Sequence, residues 1–378
     1  MKHVQRERYA ENYGIVLVPE ETSARVFADV DSYGDRFPSQ LQELEETILD
    51  YTDQYAETSE DIALKNKALR ALQEVIWKTF PDAILRQVGS TITRLSTKKS
   101  DMDCCLCLPD GNDTYPNSYR FAVDTLQTIY DDIQLDRPDW IAVHFFIDSA
   151  VVPIIRLYLS EEYEDLEVDI NCNVMPVFLS NHLILHYNLF DARVRPLVLV
   201  VKQWAKNLQI LDSQNGMLNS FSFVMMVIHF LQCVCFPPVL PNFWEMFPLK
   251  FNENARLGVT LGPHDRCVPP MNNIKRNTRS VAELFLGFIS YYSEFDWDRH
   301  AIVIRAGRLA NRRADYEQDE SRSHMYIEEP YDRFNTARTV RSIDNKETIV
   351  KKLRDVADSV FRGEQEFLDL LRPQESDV

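Results

Sequence analysis

Apolar residues recur along the chain at two spacings, and each spacing predicts a different kind of element. Leu69, Leu72 and Ile76 recur at helical spacing, after a Thr58–Asp61 pair typical of a helix-starting capping box. Short apolar runs bounded by turn residues predict strands. Helices are predicted from these patterns at residues 39–55, 58–76, 118–133, 195–211, 219–235, 281–293 and 346–371. Strands are predicted at residues 83–88, 101–108, 140–146, 151–159 and 167–174.

The kinds of predicted element differ between parts of the chain, and this difference gives the expected domain organisation. Residues 61–190 mix strands with helices and predict an α/β domain, whereas residues 191–378 predict a helical domain. Residues 1–60 form an N-terminal extension with one predicted helix, and its first part, residues 1–38, is predicted to be irregular. The charged segment 311–323 is predicted to be an exposed loop. The expected fold class is α/β plus α-helical.

The charge of the chain limits what it can bind by itself. Its 378 residues include 41 Lys and Arg against 58 Asp and Glu, which gives a formal net charge of −17. Phosphate contacts from basic residues supply most of a protein's affinity for nucleic acid. If the protein acts on nucleic acid, we therefore expect weak binding by the chain alone, a local basic cleft, or a partner that supplies affinity.

Cysteine usage and hydropathy favour a cytoplasmic protein with no membrane span. The seven cysteines are odd in number, and their distribution indicates no disulfide framework. The cluster of Cys104, Cys105 and Cys107 lacks zinc-site spacing, so we expect packed thiols and no zinc. The longest apolar stretch, residues 221–240, contains polar residues and a proline pair, which favours a buried helix over a membrane span.

Acidic residues within apolar runs carry the candidate chemistry. Gly89 and Ser90 close one apolar run, a second begins with Asp101 and Asp103, and a third contains Asp169. Because strand side chains alternate between faces, Asp101 and Asp103 point the same way. If their strand neighbours that of Asp169, three carboxylates converge, and bound Mg²⁺ or Mn²⁺ offsets their repulsion. Gly89 allows close backbone approach, and Ser90 can donate to phosphate oxygens.

An Asp-x-Asp pair by itself is usually only a solvated edge of a strand. The full arrangement is more specific, because a Gly-Ser turn precedes the pair and a separate Asp follows it in another strand. On that second strand, Glu167 and Asn171 share the predicted face of Asp169. The arrangement resembles the nucleotidyltransferase superfamily of DNA polymerase β.

Two segments of the helical region add candidate nucleotide contacts. Lys202 and Lys206 are spaced i, i+4 on a mostly apolar helix, and together they could neutralise a triphosphate. Paired lysines of this kind are more often solvated surface residues. Ser220 and Phe221 open the next helix, where Ser220 could contact phosphate and Phe221 could stack on a base. The alternative is an ordinary helix cap followed by a core aromatic residue.

Together these segments resemble the cytoplasmic poly(A) polymerases of the germline-development-defective type and the related terminal uridylyltransferases. The resemblance extends from Val88 to about Val340 and is carried most clearly by residues 194–206 and 327–338. It implies a polymerase-β-like palm inserted in a mainly helical central domain, to which the N-terminal helical region also belongs. It also implies an active site in the cleft between the two domains.

The resemblance assigns roles to individual residues. It implies that Asp101, Asp103 and Asp169 are catalytic and bind two Mg²⁺ or Mn²⁺ ions. The residues implied to contact the nucleotide are Gly89, Ser90, Lys202, Lys206, Ser220, Phe221, Glu329 and Asp332. The chain has Ser180 and Asn181 where relatives usually have Asn-Thr, so either residue could contact the ribose.

The choice of nucleotide rests on the loop from Asp332 to Asn335. Uridylyltransferases of this group often carry a His inserted between the acidic residue and the Asn, and this loop has none. The expected activity is therefore template-independent transfer of AMP from ATP to RNA 3′ ends. The alternatives are uridylyl transfer from UTP and an inactive scaffold for RNA-processing factors. Because the chain shows no RNA-recognition motif, we expect an RNA-binding adaptor protein to recruit the target.

Overall fold

The computed structural model describes residues 2–109, 118–253, 276–312, 323–364, 368–369 and 371–372. The chain folds as two compact units. A helical unit contains Met1–Gln54 and His186–Val378, and an α/β unit contains Tyr55–Leu185. The α/β unit is therefore inserted in the sequence of the helical unit, and the expected fold class is confirmed. The sequence analysis set the domain limits at residues 61 and 190, where the predicted kinds of element change. These limits stay a prediction.

Among the described residues, the α/β unit contains the five longer strands, and the helical unit contains two strands of two residues each. The helices are α1 Lys2–Tyr13, α2 Glu20–Arg36, α3 Pro38–Tyr55, α4 Ser59–Trp77, α5 Ser90–Thr93, α6 Tyr119–Leu135, α7 Pro176–Phe190, α8 Val194–Asn207, α9 Ser220–His229, α10 Phe243–Met246, α11 Pro248–Phe251, α12 Val281–Ser293 and α13 Ile343–Arg362. The strands are β1 Ile84–Gln87, β2 Met102–Cys107, β3 Ile141–Ile147, β4 Ile154–Leu159, β5 Glu167–Cys172, β6 His300–Ala301 and β7 Ala310–Asn311. All five predicted strands are present.

One five-stranded sheet forms the frame of the α/β unit. Its strand order is β1-β2-β5-β4-β3, with β2 and β5 parallel and the other neighbours antiparallel. Apolar residues of α4 and α6, including Leu72 and Leu126, pack against buried strand residues such as Leu106. At the start of α4, Thr58 and Asp61 form the predicted capping box. The acidic residues of β2 and β5 consequently lie on neighbouring strands.

The N-terminal residues are helical, so the irregular structure predicted for residues 1–38 is wrong. Val26, Val30 and Tyr33 lie at helical spacing and are buried along one side of α2. The hydroxyl of Ser290 in α12 donates to Asp29 Oδ2 at 2.8 Å. Charged residues between these apolar positions obscure the pattern, and packing of α2 against α12 stabilises the helix.

Other helices differ from the predicted ranges for local reasons. The helix α7 was not predicted, because its residues 180–187 are buried on every side and show no amphipathic period. The helix α9 ends at His229 and continues as a π-helical turn at Phe230–Val234. The last helix ends at Arg362 rather than residue 371, because Gly363 adopts a φ of 81°.

The sequence also predicts an exposed loop at residues 311–323 and no helix that spans a membrane. Of the predicted loop at 311–323, residues 313–322 lie outside the described part of the chain. Among the described helices, none combines the length and the apolar character needed to cross a membrane.

Candidate active site

Parallel pairing of β2 and β5 places the two acidic strands side by side. Asp103 lies opposite Asp169 in the register, and Met102 lies opposite Val168. Met102 and Val168 are both fully buried. Because strand side chains alternate, the acidic residues lie on the other face of the sheet. The predicted proximity of the two strands is therefore confirmed.

Two residues of the predicted set, Asp101 and Asp169, belong to one group of carboxylates. Oxygens of Asp101, Glu167 and Asp169 lie within 4.8 Å of one another, with Asp101 exposed and the other two half-buried. Within the described residues, Asp103 is not a member of this group. Glu167 is the ligand candidate that sequence reasoning did not assign, although its position two residues before Asp169 places it on the same strand face.

Asp103 instead lies against the Gly89 backbone. Gly89 has a φ of 77°, a region that glycine adopts without steric cost. A Cβ atom at this position would meet the carboxylate of Asp103, including its Cγ at 2.9 Å. Val88 N donates to Asp103 O at 2.9 Å, which joins the end of β1 to the same residue. Glycine is therefore required both for the turn and for the space that Asp103 occupies.

Ser90 begins the short helix α5 directly after this glycine. Its side chain is half-buried. The carbonyl of Ser90 accepts from Leu95 N at 2.9 Å and from Thr93 Oγ1 at 3.0 Å. These bonds fix the backbone of the turn. The predicted contact between Ser90 and a phosphate stays a prediction.

Arg156 on β4 compensates part of the negative charge. Its Nε donates to Asp169 Oδ1 at 2.8 Å, and its Nη2 donates to Asp169 Oδ2 at 2.7 Å. The same Nε lies 3.0 Å from Glu167 Oε1. Hydrogen bonding to Asp169 raises the pKa of Arg156, so the guanidinium stays charged. The residue was missed because only the β4–β5 register, in which Arg156 lies opposite Asp169, reveals it.

The carboxylate group fits a hard divalent cation. All three members offer oxygen ligands, which Mg²⁺ and Mn²⁺ prefer. A carboxylate oxygen has two lone pairs, so Asp169 keeps acceptor capacity beyond its bonds to Arg156. Three clustered carboxylates against one guanidinium also leave a net negative charge, which favours cation binding.

Beside the carboxylates the α/β unit has a cavity of about 660 Å³. Asp101 and Glu167 line it, together with Lys98, Lys99 and Tyr158. Both lysines are exposed. Two adjacent ammonium groups could contact a phosphate-bearing ligand next to a bound cation.

The lysine pair of the helical unit lies on α8, as predicted. Lys202 is half-buried and Lys206 is exposed, while Trp204 and Ala205 between them are fully buried. The helix is thus packed on one side and presents its lysines at the other. Their contact with a triphosphate stays a prediction.

The start of α9 is joined to the segment that was predicted to recognise the nucleotide. Asn219, rather than Ser220, caps the helix by accepting from Ser222 N at 2.8 Å. Asn219 Nδ2 also donates to Thr336 O at 3.0 Å. Ser220 and Phe221 follow the cap and are half-buried, which leaves part of each accessible.

Within the segment 327–338, Glu329 supports a turn. One of its carboxylate oxygens accepts from the backbone N–H groups of Tyr331 and Asp332, each at 2.7 Å. The exposed Asp332 in turn accepts from Phe334 N at 2.9 Å. Asn335 is buried and bonds to the backbone of Ile327 and Met325. These bonds give Glu329 a structural role, and its predicted nucleotide contact stays a prediction.

Ser180 and Asn181 lie on α7 and are almost fully buried, with exposed fractions of 1% and 4%. The Nδ2 atom of Asn181 is buried without a hydrogen-bond partner among the described residues. A buried amide donor of this kind is costly unless a ligand or water accepts from it. The predicted contact of Ser180 or Asn181 with the ribose stays a prediction.

Cysteine side chains pack as the sequence predicted. The described cysteines are free and buried, while Cys267 lies outside the described residues. Burial raises the pKa of the Cys172 thiol to about 12, so this thiol is uncharged at neutral pH.

Relatives of known structure resemble this chain over most of its length. The structure described as "structure of GLD-2/RNP-8 complex" is 31% identical, with a TM-score of 0.73, and the match covers 88% of this chain and 99% of that one. The chain belongs to the GLD-2 family of poly(A) RNA polymerases. A crystal structure of the Cid1 poly(U) polymerase has the same fold at 23% identity and a TM-score of 0.66, with coverage of 84% and 94%.

Curated relatives agree with this family. Poly(A) RNA polymerase gld-2 of Caenorhabditis elegans is 34% identical over 285 residues, which cover 73% of this chain and 24% of the relative. Poly(A) RNA polymerase GLD2-A of Xenopus laevis is 32% identical over 304 residues, which cover 80% of this chain and 57% of the relative. The chain thus spans about a fifth to three fifths of the length of these curated relatives.

Family matches fall in both units of the fold. Residues 44–189 match the mitochondrial-like poly(A) RNA polymerase central palm domain, and residues 280–352 match the Cid1 family poly A polymerase domain. The palm match contains the whole carboxylate group, and the second match contains Glu329 and Asp332. Both matches are to domains of poly(A) polymerases.

Proposed function

We propose that the chain is a template-independent RNA adenylyltransferase that adds AMP from ATP to RNA 3′ ends. The observation that carries the proposal is the carboxylate group of Asp101, Glu167 and Asp169 beside the Gly89–Ser90 turn, in a chain of the GLD-2 family. Asp103 is kept in the proposed machinery, because its carboxylate lies against that turn.

The proposed reaction is a single in-line displacement. The 3′-oxygen of RNA forms a bond to the α-phosphorus of ATP, the bond from that phosphorus to the β-phosphate oxygen breaks, and pyrophosphate leaves. The proton of the 3′-hydroxyl is released to solvent. Divalent ions bound by the carboxylates, Mg²⁺ or Mn²⁺, would stabilise phosphate charge and favour ionisation of the hydroxyl.

The chain's own residues would hold the reactants. Asp101 and Asp169, with Glu167, would supply oxygen ligands at fixed positions on neighbouring strands. Arg156 would keep Asp169 oriented through its two hydrogen bonds. We assign Lys202, Lys206 and Ser220 to the triphosphate, Phe221 to the base, and Ser180 or Asn181 to the ribose, as the sequence predicts.

Base choice is proposed to favour ATP, because the loop Asp332–Asn335 has no inserted His. Glu329 holds this loop by accepting two backbone N–H groups, so the shape of the loop is defined before nucleotide binds. Uridylyl transfer is the alternative, and it would use the same carboxylates. An inactive scaffold is less favoured because Asp101, Asp103 and Asp169 are all present.

An RNA-binding adaptor is proposed to bring the RNA substrate to this chain. A net charge of −17 opposes tight RNA binding by the chain alone. Two similar structures are described as complexes of GLD-2, one with RNP-8 and one with GLD-3. We also propose a cytoplasmic location from the free thiols and the absence of a disulfide framework in the sequence.

The proposal is tested by extension of a labelled RNA primer with each of the four nucleoside triphosphates. The wild-type chain should extend the primer with ATP at least about tenfold faster than with UTP. Replacing both Asp101 and Asp103 by Ala should abolish extension, while Asp124→Ala on the exposed side of α6 should leave it unchanged. Extension by the double variant would contradict the carboxylate assignment, and faster extension with UTP would favour uridylyl transfer.

A further inference from the structure

A buried ion pair connects the first carboxylate strand with the Gly-Ser turn. Lys65 of α4 and Glu57, just before that helix, have side chains only 2% and 1% exposed, and Lys65 Nζ lies 2.7 Å from Glu57 Oε1. Charged groups are rarely buried to this extent, because removing them from water is costly. The pair therefore needs a reason beyond general stability.

The ammonium group of Lys65 also holds backbone next to a proposed metal ligand. Its Nζ donates to Ser100 O at 2.8 Å and to Asp101 O at 3.1 Å. Asp101 is the exposed member of the carboxylate group and precedes the first residue of β2. The two bonds to Lys65 consequently restrain the backbone from which the Asp101 carboxylate projects.

Hydroxyl groups extend the same network to the turn. Lys65 Nζ donates to Thr91 Oγ1 at 3.1 Å, and Thr91 Oγ1 donates to Glu57 Oε1 at 2.9 Å. Ser96 Oγ donates to the other Glu57 oxygen at 2.6 Å. Thr91 lies in α5, directly after Ser90, so one buried ion pair contacts both sides of the proposed site.

We infer that Lys65, paired with Glu57, is a positioning residue that fixes the Asp101 carboxylate relative to the Gly89–Ser90 turn. The inference rests on the proposed function, because it assigns Asp101 to metal binding. Lys65 acts through the backbone and through Thr91, from a side chain that is almost fully buried. Groups that orient metal ligands in this way commonly change metal affinity or activity by about 10–100-fold when they are removed.

The test uses a variant with both members of the pair neutralised, Lys65→Met with Glu57→Gln. Removing only one member would leave an unpaired buried charge and destabilise the protein, whereas neutral residues of similar volume are tolerated. Lys67→Met is the matched control, since Lys67 lies on the same helix but is exposed and pairs with Glu162 at the surface. Folding of each protein is followed by circular dichroism and thermal melting.

Binding of Mn²⁺ is the decisive readout, measured by the electron paramagnetic resonance signal of free Mn²⁺. The folded double variant should bind Mn²⁺ about 10-fold more weakly than wild type, and its kcat for primer extension should fall by about 10–100-fold. The Lys67→Met control should match wild type in both. Wild-type Mn²⁺ affinity and kcat in the folded double variant would overturn the inference.

A second variant keeps the inference testable if the double variant does not fold. Thr91→Val preserves shape and the ion pair but removes the hydroxyl that joins the pair to the turn. It should lower kcat by about tenfold with little change in KM for ATP, and an unchanged kcat would contradict the inference. A wild-type chain that binds Mn²⁺ but does not extend RNA would instead contradict the proposed function.

Discussion

At the scale of residues, the site depends on contacts that cross between strands. The sequence predicts that Asp101 and Asp169 converge, because alternation and strand pairing suffice for that inference. It does not predict that Glu167 also joins them or that Arg156 binds Asp169. Both facts depend on strand order and register, which local spacing does not determine.

Gly89→Ala should inactivate the enzyme without a large loss of folded protein. An alanine Cβ would require a strained positive φ and would collide with the carboxylate of Asp103. We expect primer extension to fall by at least about 100-fold, since displacements of about 1 Å can have that effect. Gly34→Ala is the control, because Gly34 lies in the helix α2 with a negative φ. Equal activity of the two variants would contradict this account of the turn.

Arg156→Met should make folding of the protein more dependent on divalent metal. Without the guanidinium, the carboxylates of Asp169 and Glu167 lose their compensating cation, and bound Mn²⁺ can replace it. Thermal melting with and without Mn²⁺ should show a metal-induced rise that exceeds the wild-type rise by about 2 °C. Arg120→Met, at an exposed site on α6, is the control. An identical metal-induced rise in the Arg156 variant and wild type would refute this role.

At the scale of elements, the sequence predicts a helix correctly where local signals mark its start, and it misses helices that are stabilised mainly by packing against other elements. The helix α4 is marked by its capping box and apolar period, and its start is predicted correctly. The helix α2 is not predicted, since charged residues separate its buried positions and α12 stabilises it. The helix α7, which is buried on every side over residues 180–187, shows no amphipathic period.

A side chain of α3 binds the N-terminus of α12, and this contact predicts an effect on the stability of the fold. Glu45 on α3 accepts from Ala282 N at 2.6 Å, at the positive end of the α12 dipole. Glu45→Ala should lower the free energy of unfolding by about 1–2 kcal/mol in urea denaturation, as expected for a lost cap. Glu46→Ala, which changes an exposed neighbour, should change it by less than about 0.5 kcal/mol. A result in which the two variants lose the same stability would argue against this cap.

At the scale of the whole molecule, the negative charge of the chain suits binding of metal ions but opposes binding of RNA. The carboxylates suit metal-dependent transfer, while the net charge of −17 opposes RNA binding. The isolated chain should therefore extend RNA in short, distributive steps at physiological salt, as gel analysis of product lengths against time would show. Processive synthesis by the isolated chain under those conditions would remove the need for an adaptor.

The proposed activity of this chain is transfer of AMP from ATP to an RNA 3′-hydroxyl with the aid of bound divalent metal. The most direct measurement incubates the chain with RNA and ATP labelled at either the α- or the γ-phosphate. If the chain catalyses this transfer, α-label enters RNA, γ-label leaves as pyrophosphate, and EDTA or a 3′-deoxy RNA end stops both. Entry of γ-label into RNA, or α-label transfer that persists in EDTA, would rule out this reaction.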